Sequence, residues 1–157
     1  MNIPELTLVP LGALALLLVA AAVIDFRTFK ISNRLNAAVA LVAPLYWLAD
    51  ALPLWPNAAV QIGMSIAVFT VLAGAFHAGM MGGGDVKLAA ALALWFPPAA
   101  TVKLLVLMSL AGGVLTLVLL AAHRLRGRPG RPKIPYGGAI AFGGLVVLAQ
   151  RYLNQFA

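Results

Sequence analysis

The chain has 157 residues, of which 63% are hydrophobic and 10% charged, with a net charge of +7 and no cysteine. A soluble domain carries about 25% charged residues, so this composition excludes a water-soluble globule and indicates an integral membrane protein. The missing cysteines exclude disulfides, Cys-ligated zinc and thiol catalysis. The basic residues are few and lie in short interhelical loops, where they read as topology information and not as a nucleic-acid surface.

A helix needs roughly 17–25 apolar residues to cross the hydrocarbon. Residues 6–24 form the first candidate, ended by Asp25 and the polar stretch 27–36. Residues 2–6 hold Glu5 and no Lys or Arg, so the positive region of a signal peptide is missing and the segment is expected to be retained. The second candidate, 37–52, contains Pro44 and is closed by Pro53 and Pro56. The third, 58–76, carries no charge. The fourth, 85–96, is short and stops at Pro97-Pro98, so it is expected to be tilted, re-entrant or covered by its neighbours. The fifth, 104–122, is uncharged, and the sixth, 134–153, opens on glycines. The expected fold is a single all-α bundle of about six transmembrane helices, with no room for a separate soluble domain.

The connecting segments alternate in charge. Residues 25–36 carry Arg27, Lys30 and Arg34, and residues 123–133 carry Arg124, Arg126, Arg128, Arg131 and Lys133. With Lys87, nine of the eleven basic residues fall on one face, against Lys103 and Arg151 on the other. Positive loops favour the cytoplasm, so both termini are expected outside and the two basic loops inside. This topology brings Asp25 and Asp85 to similar depth at the basic face and leaves Glu5 and Asp50 opposite. Trp47, Trp55 and Trp95 are expected as anchors at the outer interface.

Asp85 directly follows Gly82-Gly83-Gly84, and an acid beside membrane spans is functional by default. Two nearby carboxylates can share a proton and supply both a base and an acid. The alternative is that each acid caps a helix or pairs with Arg27 or Lys87. The three glycines fit a hinge, or a place where an extended substrate backbone lies against Asp85; P-loop spacing is absent. Gly137, Gly138, Gly143 and Gly144 fit close helix packing. His77 and His123 show no ligand spacing such as His-Glu-x-x-His, so no metal is expected. The 123–133 loop fixes orientation and suits anionic lipid head groups. A small proton- or cation-coupled transporter subunit using the same two aspartates is the competing reading.

Three segments resemble the type IV prepilin peptidases. Gly82-Gly83-Gly84-Asp85-Val86-Lys87-Leu88 is similar to that family's glycine–x–glycine–aspartate motif. Ile24-Asp25-Phe26-Arg27 through Ile31-Ser32-Asn33 resembles the segment bearing its first catalytic aspartate, and Pro135-Tyr136-Gly137-Gly138-Ala139-Ile140-Ala141 the segment opening its last helix. The resemblance implies an aspartic endopeptidase of the bacterial inner membrane that removes the leader of prepilins at the cytoplasmic face. Asp25 and Asp85 would be catalytic, with Gly82, Gly84, Lys87, Pro135, Tyr136 and Gly137 in support and no cofactor. The chain lacks the cysteine-bearing cytoplasmic insertion of larger members, so it looks like the short, tight-adherence (Flp-type) form, and N-methyltransferase activity is not expected. The implied partners are a prepilin substrate and membrane lipid, not nucleic acid.

Overall fold

The computed structural model describes residues 5–126, 130 and 132–153. These form six helices and no strand: α1 (Glu5–Thr28), α2 (Asn33–Ala49), α3 (Ala59–His77), α4 (Gly83–Ala93), α5 (Pro98–Leu125) and α6 (Tyr136–Leu153). A wider turn at Leu54–Ala58 leads into α3. The protein is an all-α polytopic membrane protein.

Local chemistry sets the boundaries. Ser32 caps α2, its hydroxyl accepting the Leu35 amide at 3.2 Å. Pro98 opens α5, where the missing N–H costs nothing. Three segments, Leu6–Thr28, Leu54–His77 and Pro98–Leu125, are long and apolar enough to cross a bilayer. Their outward faces show Val9, Leu16, Val71, Leu110 and Leu117 largely exposed. Such a surface suits lipid, which solvates apolar side chains as readily as a protein core does.

The fourth segment departs most from a simple span. With 11 residues α4 is about 16 Å long, short of the roughly 30 Å hydrocarbon core. It is instead the buried centre of the bundle, packed between α2, α3 and α6, with Leu88, Leu92 and Ala93 fully enclosed. Four other boundaries also move. α1 continues past Asp25 to Thr28, α2 begins within the polar stretch, Gly83 and Gly84 belong to the first turn of α4, and α5 starts at Pro98.

Trp95 is a correction to the interfacial-anchor expectation. It is 1% exposed, stacks on Tyr46 with centroids 5.5 Å apart, and donates its indole N–H to the Val39 carbonyl at 2.9 Å. Trp47 is also buried and donates to Leu94 O at 2.9 Å. Each indole finds a carbonyl of a neighbouring segment, so the polar handle needs no water. Trp55, by contrast, is exposed as an anchor would be.

Candidate active site

Asp25 lies in the last turns of α1 and is 3% exposed. Its Oδ2 accepts the backbone amide of Gly138 at 3.0 Å, in the first turn of α6. A helix N-terminus offers unsatisfied N–H groups and a favourable dipole to a carboxylate. The approach needs glycine. A Cβ on Gly137 would stand 2.9 Å from Asp25 Cγ and run into the end of the Ile31 side chain, and one on Gly138 would be 2.7 Å from the Phe26 ring.

Asp85 lies in the first turn of α4, where Gly82 is the extended residue before the helix. The Gly82 carbonyl accepts the amides of Asp85 and Val86 at 3.0 and 3.2 Å. The glycines here differ in what they tolerate. A Cβ on Gly82 would be 2.8 Å from Asp85 Oδ2, and one on Gly84 would be 2.8 Å from the Ile31 carbonyl oxygen. At Gly83 the nearest atom, on the Phe76 ring, is 3.4 Å away, an ordinary contact. Steric need thus falls hardest on Gly84, which faces backbone; a Cβ at Gly82 would displace the Asp85 carboxyl itself, and Gly83 is spared.

Asp25 and Asp85 line one cavity of about 830 Å³. Its walls include Phe29, residues 79–82, Thr116, Leu120 and His123 of α5, and Tyr136. Burial pushes the Asp85 carboxyl up to about 6, the charge of Asp25 adds to the rise, and the Gly82 backbone hydrogen bond opposes it. Two carboxyl groups that resist ionising together can hold one proton between them. Such a pair can take a proton from water on one side and give one to a carbonyl on the other.

The residues singled out from sequence fall in layers. Asp25, Gly82, Asp85 and Tyr136 line the cavity, and Gly137 backs Asp25. Gly84 and Lys87 stand outside the lining, where Lys87 Nζ donates to Asn33 Oδ1 at 2.9 Å. Pro135 is buried and also outside it. Gly143 and Gly144 pack as expected, against Met108 and Leu18. The alternative pairing of the two acids with Arg27 and Lys87 is absent; the ion pair among the described residues joins Arg151 to Asp50 at 3.3 Å. Of the basic loop, Arg124 and Lys133 reach the cavity, whereas Arg128 and Arg131 lie outside the described residues.

Two supports went unseen in the sequence. Asn36, 5% exposed on α2, donates Nδ2 to the Gly84 carbonyl at 3.0 Å and so holds the start of α4. Thr116 of α5 contacts the Tyr136 hydroxyl at 3.1 Å. Asn36 carried a weak signal as the second of two asparagines three apart, whereas a lone Thr in an apolar helix carries none.

The sequence model of the type IV leader peptidase family matches residues 12–117. The chain belongs to the type IV leader peptidase family. The matched region runs from α1 into α5, contains both Asp25 and Asp85, and ends before Tyr136. No curated protein and no solved structure matched the chain. As a leader peptidase family member with helices able to span a bilayer, the protein is a membrane peptidase.

Proposed function

We propose that the protein is an aspartic endopeptidase that cleaves the leader from Flp-like prepilins at the cytoplasmic face of the bacterial inner membrane. The observation that carries this reading is the shared cavity, in which the charge of Asp25 opposes ionisation of Asp85. In the reaction the ionised aspartate takes a proton from water as its oxygen attacks the scissile carbonyl carbon. The protonated aspartate gives its proton to the carbonyl oxygen. As the tetrahedral species collapses, one of its hydroxyls returns a proton to the aspartate that gave one and the carbonyl reforms, the C–N bond breaks, and the leaving amine takes the proton gained from water. Both carboxyls are thereby reset as a pair.

The chain has no cysteine and a short segment between its first two helices, so the reading is of leader removal alone. The precursor's apolar segment stays in lipid while its junction with the leader enters the cavity. Co-expression with a candidate prepilin tests the proposal by a size shift on leader removal. Asp25→Asn and Asp85→Asn should each abolish the shift while the protein still accumulates in the membrane. Wild-type processing by either variant would end the dyad reading, and ion flux through the purified protein in liposomes without processing would favour a transporter.

A further inference from the structure

Where α5 and the start of α6 line the cavity, Thr116 and Tyr136 form a hydrogen-bonded pair whose protons can be counted. Thr116 Oγ1 donates to the Gly112 carbonyl at 2.6 Å, one helical turn back. A threonine hydroxyl has one proton, and this bond uses it. Thr116 Oγ1 also lies 3.1 Å from the Tyr136 hydroxyl. With the threonine proton spent, that contact is a hydrogen bond only if the phenol donates to Thr116. The single phenol proton is then spent as well, so Tyr136 Oη presents lone pairs alone to the cavity that both residues line.

The ring is seated as firmly as the hydroxyl. A Cβ on Gly112 would stand 3.0 Å from Tyr136 Cε1, so the ring lies closely against α5 where residue 112 is glycine. Gly112 and Thr116, a turn apart on one face of α5, thus fix the ring and the direction of its proton. Tyr136 in turn precedes Gly137, which backs Asp25.

We infer that Thr116 is a positioning residue that makes Tyr136 Oη a fixed hydrogen-bond acceptor for a backbone N–H of the extended substrate segment in this cavity. An acceptor on the wall beside two carboxyl groups suits a peptide, whose main chain offers an N–H at every residue except proline. The inference rests on the leader-peptidase reading given above and assigns that reading a binding contact.

The test measures cleavage of a synthetic precursor segment by the purified full-length protein in detergent. Tyr136→Phe and Thr116→Val should each raise KM by roughly 3- to 10-fold with kcat little changed, the size of one neutral hydrogen bond. The double variant should be no worse than either single one, because both remove the same contact. Thr116→Ser, which keeps the hydroxyl, should restore wild-type KM. A series of substrates N-methylated at one amide each should contain one position that weakens binding to wild type but costs Tyr136→Phe nothing further. A merely structural tyrosine would leave that series unchanged between the two enzymes. Wild-type KM in Thr116→Val, additive losses in the double variant, or no such position in the series overturns the inference while leaving the peptidase reading intact. A wild-type protein that cleaves no precursor, with Asp85→Asn indistinguishable from it, overturns both.

Discussion

Asp25 Oδ2 and the Gly138 amide meet at 3.0 Å although 113 residues separate them, so the last helix closes on the first through a carboxylate. The two helices approach there because residues 137 and 138 have no side chains.

Gly137→Ala should therefore damage the site more than its size suggests. The added methyl would stand 2.9 Å from both Asp25 Cγ and Oδ2 and would meet Ile31 as well. Either α6 retreats or the carboxyl turns, and a displacement near 1 Å at a reacting group can cost on the order of 100-fold in rate. Gly113→Ala is the matched control, since a Cβ at that α5 position meets nothing within 4 Å. Leader cleavage by the two variants at equal membrane abundance checks the contrast. Equal rates would show that the approach of α6 to Asp25 is not required.

Asn36→Ala should loosen the start of α4. The variant loses the Nδ2 bond to the Gly84 carbonyl, worth about 1 kcal/mol, but leaves that carbonyl its place in the helix. Stability should fall by about that amount, and backbone amides at 85–88 should exchange faster while those at the far end of α4 do not. Hydrogen exchange in detergent reads this directly. Uniform acceleration along α4 would mean that Asn36 supports the whole bundle and not the aspartate turn.

How much of this was legible beforehand differs by level. Hydropathy placed all six helical segments, because an apolar run of helical length declares itself whatever packs against it. Its shortness and Pro97-Pro98 set α4 apart from a simple span, but not which helices cover it, since burial by protein and burial by lipid select the same residues. Trp95 was misjudged for the related reason that an indole near a helix end reads as interfacial until its N–H is seen bonded to Val39. Of the candidate site, the acids and glycines were conspicuous because charge and Gly runs are rare among apolar residues. Thr116 was invisible: its hydroxyl is satisfied within its own helix, and only the fold brings Tyr136 to it.

The Asp50–Arg151 pair should matter to stability and not to cleavage. Asp50 accepts from Tyr46 Oη at 2.9 Å and from Arg151 at 3.3 Å, while the Arg151 guanidinium lies 5.0 Å above the Tyr46 ring. This ties the end of α6 to α2, and neither residue lines the cavity holding Asp25 and Asp85. Both side chains keep partial exposure, so the pair contributes about 1 kcal/mol or less. Asp50→Asn should lower the melting temperature by a few degrees at most, with the difference shrinking in high salt. Processing of the precursor should stay at the wild-type rate; a tenfold loss would show that the two ends of the bundle are coupled.

Asp85 should make the protein less stable as pH rises through the carboxylate range. Its carboxyl titrates near 6 in the folded chain against 3.8 for an unperturbed group, because burial and the Asp25 charge disfavour the anion. Below about pH 4 both states hold the proton and the group is neutral in its effect. Between about 4 and 6 the unfolded chain ionises first, so folding is progressively disfavoured, and above about 6 the cost is constant. Asp85→Asn cannot ionise and escapes that cost. Its melting temperature in detergent should exceed the wild-type value at about pH 7.5 and match it near pH 4, even though cleavage is lost. The wild-type cleavage rate should also decline on the alkaline side, as the pair gives up the proton that the carbonyl oxygen needs. A stability gain that is equal at both pH values would mean that Asp85 is destabilising through its shape and not through its charge.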